Sequence, residues 1–346
     1  MSLVLPLDAW PLADRNMWAA LRTKGGPLDD RGGLAHVRET TITALQLCYG
    51  RWLRWIEANA PEALALAPVE RATLPRLQAW LRDLSSVRPM TRLAFVQGVV
   101  RILRAEEPDG DWHSHLRLIG ALKREAGNGD PARKRGRILS SKVLLEIGLR
   151  HAGPFADEAT TPLSQMLRRR DGAMVALLSL MPMRRRSFCE LRLGHSIFVS
   201  EREIFISLSE EMTKTGVAWE AIVPQQVEPV LRRYIGEVRP QLMSRGDRNH
   251  DILWVGKKGE IIGMNYVGKL VGDVTLEHAG KRIPPHFFRD AAATTLARMS
   301  PEAARLIRPV LAHSGFRTAE RHYIHAQTIE AGRDYAALVK RLKGGK

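Results

Sequence analysis

Apolar residues recur at helical spacing through most of the first 126 positions. Between His36 and Ala58, residues Ile42, Leu45, Tyr49, Trp52, Leu53 and Ile56 fall three or four apart, which predicts a helix. Thr73 is placed to cap a second helix, with Pro75 in its first turn and Leu77, Trp80, Leu81 and Leu84 following. Thr91 is placed to cap a third, whose Leu93, Val96, Val100 and Leu103 form one stripe, and a fourth runs from about Trp112 to Ala126. No strand-like alternation precedes residue 190, so residues 36–130 read as a small helical bundle. Residues 1–35 are rich in Pro, Gly and Asp, with Trp10 and Trp18 among them. They read as an irregular arm with one helical turn near Asn16–Arg22, and no role follows from them.

The pattern changes after Gly127–Arg137. Three glycines and a proline break the helix there, and Arg133, Lys134, Arg135 and Arg137 crowd together, so residues 131–137 read as a basic linker. Such a run is usually a solvated connection; lying along a phosphate backbone is a second reading, compatible with the first. Beyond it, helices are predicted over Ser141–His151 and Pro162–Met181. Short strands follow at Ile197–Val199, Glu203–Ser209 and Trp219–Val223, the middle one alternating Ile204, Ile206 and Leu208 on one face. A helix near Val227–Val238, a strand at Ile252–Val255 and further helices from Met264 complete the pattern. The fold class expected is mainly α (α+β), an N-terminal bundle followed by a mostly helical domain with a small antiparallel sheet over 138–346.

Composition adds the partner. The chain of 346 residues has 53 basic against 37 acidic side chains, a net +16 with a pI near 10.4. A polyanion suits such a surface, because phosphate contacts release counterions; the alternative is an ordinary basic enzyme. Its length fits two domains at roughly 150 residues each. Only Cys48 and Cys189 occur, too few for a disulfide framework, which points to a reducing compartment. The first residues lack the pattern of a secretory signal, and no stretch approaches a membrane span. A soluble, cytoplasmic, nucleoid-associated protein with no membrane contact is expected.

Several chemistries fit poorly. His313, His322 and His325 have no cysteine or carboxylate partners at zinc-ligand spacing, and no acidic triad stands out, so no metal is expected. Gly263–Leu270 approaches a phosphate-binding loop but has Leu270 where Ser or Thr would hold magnesium. No cofactor is expected. What remains is a set of basic residues and one tyrosine. His286 and Arg289 stand three apart on a predicted helix and so point the same way. Arg184 follows an apolar helix, Lys214 falls in the turn joining two strands, and His313 precedes Tyr323 by ten residues.

Taken in order over 140 residues, Arg184, Lys214, His286, Arg289, His313 and Tyr323 resemble the catalytic series of the tyrosine recombinases, the phage-integrase family. The segments FRDAAAT and LAHSGFRTAERHY carry the resemblance most closely. Met181-Pro182-Met183 stands where the family usually has Thr-Gly-Leu. His322 occupies the usual nucleophile position, with Tyr323 one further; Ser187 stands where many members are acidic, and Asp290 where many have His. The resemblance implies a site-specific DNA recombinase, active as a homotetramer on double-stranded DNA clamped between its two domains, with accessory recombination proteins as further partners. It implies that strands exchange through a Holliday junction for a mobile element. The nearest alternatives are a type IB topoisomerase and a catalytically silent DNA-binding protein of the same fold.

The chemistry suits these residue types. A tyrosine attacking phosphorus keeps the phosphodiester energy in a covalent bond, so strands are rejoined without ATP. Charge then builds on non-bridging oxygens, which fixed cationic donors must meet. Arginine binds such oxygens with a planar fork and stays protonated, the role expected of Arg184 and Arg289. His286 and His313 are expected to donate to the same oxygens, one of them accepting the phenol proton, while Lys214 protonates the departing 5′ oxygen.

Overall fold

The computed structural model describes residues 2–26, 31–127, 136–214, 216–247 and 249–311. The chain divides into two units, Met1–Pro131 and Ala132–Lys346.

In the first unit α1 (Leu12–Arg22), α2 (Glu39–Asn59), α3 (Pro68–Arg71), α4 (Leu74–Asp83), α5 (Pro89–Glu106) and α6 (His113–Ala126) enclose one core. The segment read from sequence as an irregular arm is an eleven-residue helix, α1, because Met17, Trp18 and Leu21 form a stripe that needs a partner. Trp10 and Trp18 meet edge to face at 5.7 Å, and Trp10 lies 5.1 Å from the Tyr49 ring. Beneath them Asp14 is fully buried. It accepts hydrogen bonds from the Tyr49 hydroxyl at 2.8 Å and from Nη1 of the equally buried Arg71 at 2.5 Å. Arg71 also donates to the carbonyls of Leu64 and Leu66. Thr73 stands at the start of α4 without a capping bond, whereas Thr91 falls inside α5, which Pro89 opens two residues earlier.

The second unit contains α7 (Ser141–Ala152), α8 (Pro154–Asp157), α9 (Pro162–Leu180), α10 (Arg185–Cys189), β1 (Ile197–Val199), β2 (Ile204–Leu208) and β3 (Trp219–Ile222). After these come α11 (Glu228–Arg233), a π-helical turn (Tyr234–Val238), α12 (Arg239–Met243), α13 (Met264–Ala279), α14 (Pro285–Met299), α15 (Pro301–Arg305) and α16 (Ile307–Val310). Ser140 and Thr161 cap α7 and α9 with their hydroxyls. Helix α9 is the central post, and Ala173 to Leu178 are buried all round it. Helix α7 crosses it at glycines: a Cβ on Gly148 would lie 2.4 Å from the Ala176 nitrogen, and one on Gly172 2.3 Å from that of Ala152.

The sheet is antiparallel in the order β1-β2-β3, with Ile206 opposite Ile197 and Ala221. Ile204, Ile206 and Leu208 face the core as their alternation predicts, while Phe205 sits on the outer face between Phe198 and Ile222. The strand expected at 252–255 forms only isolated bridges, Arg192 to Ile252 and Val255 to Ile261. Its backbone is used differently: Leu253 N–H donates to the Leu191 carbonyl and Val255 N–H to the Tyr234 hydroxyl. The architecture is mainly helical with one small antiparallel sheet, as the pattern implies.

Candidate active site

The apolar run of α9 ends at Leu180, where Pro182 cannot continue the helical hydrogen bonding. The chain extends through Met183 and turns into α10 with Arg184 at its cap position, half-buried. The floor under this turn is rigid. Phe188, one turn on, stacks against Trp254 at 4.9 Å, and Trp254 stacks in turn against Tyr234 at 5.2 Å. The Trp254 indole N–H donates to the Phe188 carbonyl at 3.0 Å, and the Tyr234 hydroxyl to the Leu253 carbonyl at 2.8 Å.

Helix α14 brings the second arginine. Pro285 opens it, and Phe287, Phe288 and Ala291 sink into the core, leaving His286 exposed and Arg289 partly buried on the opposite face. Arg289 Nη1 donates to the Pro182 carbonyl at 2.7 Å and Nη2 to the Leu311 carbonyl at 2.5 Å. Pro182 lies two residues before Arg184, so the backbone that carries one arginine holds the other. Burial pushes the Arg289 guanidinium down to about 10, the neighbouring charge of Arg184 pushes the same way, and Asp290 opposes both. Burial also draws Arg184 below the usual arginine range. Both remain protonated at neutral pH and repel one another, an arrangement that an anion placed between them relieves.

Lys214 is exposed in the connection between β2 and β3. That connection is tied to the arginine turn, for Ser187 on α10 donates its hydroxyl to the Met212 carbonyl at 2.7 Å. Arg137, at the end of the basic run, lies with its guanidinium 5.2 Å over the Phe287 ring and donates to the Arg282 carbonyl at 2.7 Å. The other edge of this group is His286, whose ring meets Phe287 at 4.5 Å. Of the residues singled out in the sequence, Arg184 and Arg289 are joined through Pro182, His286 stands one turn before Arg289 on α14, Arg137 packs on the intervening Phe287, and Ser187 ties the connection that bears Lys214 to the turn that bears Arg184. His313, Tyr323, Arg133, Lys134 and Arg135 lie outside the described residues. Sequence reasoning gave Ser187 no role beyond an unusual residue, because its partner is 25 positions away.

Among the described residues, no group of three or more His, Cys, Asp or Glu side chains stands close enough to hold a metal ion. No helix among them is long and apolar enough to cross a membrane. Gly263–Leu270, which resembled a phosphate-binding loop, is the beginning of α13.

The family model for the phage integrase family matches residues 156–330, half of the chain. The chain belongs to the phage integrase family. Arg184, Lys214, His286, Arg289, His313 and Tyr323 all fall inside the matched span. Comparison with curated proteins returns no match. Among solved structures, this integrase-family chain resembles the XerH site-specific recombinase bound to palindromic difH substrate in a post-cleavage complex. The two are 15% identical with a TM-score of 0.61, over 96% of this chain and 97% of that one. The pre-cleavage XerH–difH complex gives 14% identity and a TM-score of 0.58 over the same shares, 96% and 97%. The Tn1549 transposon integrase in complex with transposon right end DNA gives 15% identity and a TM-score of 0.53, over 86% of this chain and 94% of that one. At these identities the likeness is one of fold, and it extends over both units of this integrase-family chain.

Proposed function

We propose that this protein is a site-specific DNA recombinase that cuts and rejoins strands of a mobile element through a covalent 3′-phosphotyrosine, with neither metal nor ATP. The observation that supports this most is the meeting of Arg184 and Arg289, 105 residues apart in sequence, at a half-buried, mutually repelling pair of guanidinium groups. A phosphodiester at the point of cleavage carries the charge that such a pair lacks, and carries more as the phosphorane forms. His286 stands in the first turn of α14, and the positive end of a helix adds to the attraction for phosphate there.

In this reading Arg184 and Arg289 clamp the non-bridging oxygens. His286 and His313 donate to them, one of the two taking the proton of Tyr323 as its oxygen attacks phosphorus. Lys214 gives a proton to the departing 5′ oxygen. Arg137, with Arg133, Lys134 and Arg135, holds the DNA backbone, and four protomers assemble on two sites.

The test is a covalent adduct. The full chain is incubated with a randomised library of nicked suicide duplexes, and protein-linked DNA is isolated under denaturing conditions and sequenced. Adducts that share one sequence, survive EDTA and vanish in Tyr323→Phe are expected, with Arg289→Ala slowing their formation by about 10²- to 10³-fold. No adduct with the wild-type chain overturns the proposal in favour of a silent DNA-binding protein. Adducts without shared sequence, together with relaxation of supercoiled plasmid, identify a topoisomerase instead.

A further inference from the structure

We infer that Ser187 and Thr213 are positioning residues that set Lys214 against the scissile phosphate, an inference that rests on the recombinase reading above. Lys214 itself is exposed on a connection between two short strands, a place where a lysine ordinarily has wide freedom. The backbone that carries it is nevertheless fixed from two sides by hydroxyl groups that are almost wholly buried, Ser187 at 3% and Thr213 at 2% exposure.

Thr213 closes the turn from within. Its Oγ1 donates to the Glu210 carbonyl at 3.1 Å and accepts from the Val217 N–H at 3.1 Å, so one side chain joins the two limbs that flank Lys214. The return limb passes through Gly216 at φ +65°, the left-handed region in which a side chain is strained. Ser187 then fastens this turn to the rest of the site. Its hydroxyl donates at 2.7 Å to the carbonyl of Met212, two residues before Lys214, and it stands one residue beyond the Arg184-Arg185-Arg186 run. Ser187 and Arg184 share one turn of backbone supported by the Phe188–Trp254–Tyr234 stack. A continuous path therefore runs from the arginine clamp through Ser187, Met212 and Thr213 to the lysine. Neither hydroxyl carries charge, and both bonds end on backbone or close it, so their effect is on placement.

Placement matters for this step. As the tyrosine oxygen bonds to phosphorus and the phosphorus–O5′ bond breaks, the phenol proton passes to a histidine. The Lys214 ammonium supplies a proton to the 5′ oxygen, leaving a hydroxyl and a neutral amine, and the reverse transfer accompanies rejoining. A proton donor displaced by about 1 Å loses much of its effect, on the order of 10²-fold in rate.

The inference is tested with the selected suicide duplex made in two forms, with oxygen or with sulfur at the bridging 5′ position. A thiolate leaves without a proton because a thiol is a far stronger acid than an alcohol or water. Lys214→Ala, as the reference, is expected to form adduct slowly on the oxygen duplex and near the wild-type rate on the sulfur duplex. Ser187→Ala and Thr213→Val are expected to follow the same pattern, slowed about 10- to 100-fold on oxygen and restored on sulfur. Thr213→Ser and Ser187→Thr, which keep the hydroxyls, are expected to retain most of the rate. If Lys214→Ala is not restored by sulfur, the general-acid reading of Lys214 falls and this inference with it. If Lys214→Ala is restored but Ser187→Ala and Thr213→Val match wild type on oxygen, or are slowed equally on both duplexes, the positioning role alone is overturned. Thermal unfolding of each variant, compared with wild type, identifies any that is slow on both duplexes through loss of fold.

Discussion

Replacing Asp14 by alanine is expected to unfold the first unit more severely than any surface change. The carboxylate is fully buried and accepts from both Arg71 and the Tyr49 hydroxyl. Its removal leaves the Arg71 guanidinium, 1% exposed, without a counter-charge in a dry core. Breaking one partner of such a pair costs about 3–5 kcal/mol, and the lost Tyr49 bond adds about 1 kcal/mol. Against a total stability of about 5–15 kcal/mol, that is a large fraction. At roughly 3–4 °C per kcal/mol for a unit of this size, the melting point of the first unit falls by about 12–24 °C. Intrinsic fluorescence is a suitable assay, because six of the eight tryptophans, Trp10, Trp18, Trp52, Trp55, Trp80 and Trp112, lie before residue 131. Removing both charges at once, as Asp14→Leu with Arg71→Met, is expected to cost less than the sum of the single changes by about 2 kcal/mol or more. A loss below about 1 kcal/mol in Asp14→Ala, or strict additivity in the double variant, would refute the view that the carboxylate serves to neutralise a buried arginine.

Two further outcomes are expected. Arg137→Ala should weaken DNA binding similarly for all sequences and reduce the slope of log affinity against log salt by about one, as measured by fluorescence anisotropy at several salt concentrations; an unchanged slope removes Arg137 from the phosphate contacts. The second concerns His151 and His278, whose Nδ1 and Nε2 lie 2.9 Å apart. Burial, helped by His278 and Arg168, pushes His151 down to about 3, and burial with Arg150 also lowers His278. Both are depressed, so the unfolded chain binds more protons below about pH 6.5, and the pair's contribution is complete above that pH and lost as pH falls toward 3. Urea unfolding at pH 7, 6 and 5 should show stability falling by up to about 1.4 kcal/mol per pH unit from His151, and His151→Phe should flatten the slope. An equal slope in the variant would rule out His151 as its source.

The parts of this protein that could be read from its sequence are those in which local pattern and tertiary need agree. The stripe of α2, the buried length of α9 and the alternation of β2 each state their own burial. The helix α1 could not be read in this way, because its proline- and aspartate-rich surroundings resemble a loop and its stripe is completed only by Tyr49 and Arg71. The same holds for 252–255, whose backbone bonds are taken by Leu191 and the Tyr234 hydroxyl rather than by a neighbouring strand. At the site, the spacing of His286 and Arg289 and the apolar run before Arg184 were legible because helical geometry alone sets them side by side or ends them. The bonds of Arg289 to Pro182 and Leu311, the tether of Ser187 to Met212 and the seat of Arg137 over Phe287 were not, since each joins residues brought together only by folding.

The way Arg289 is held has a thermodynamic side. An arginine on a solvated surface has several rotatable bonds to freeze when it meets a ligand, a cost of up to about 2 kcal/mol. Here the carbonyls of Pro182 and Leu311 immobilise the guanidinium during folding, using two of its five N–H groups. The entropy is surrendered once, when the chain becomes native, and encounter with an anion need not surrender it again.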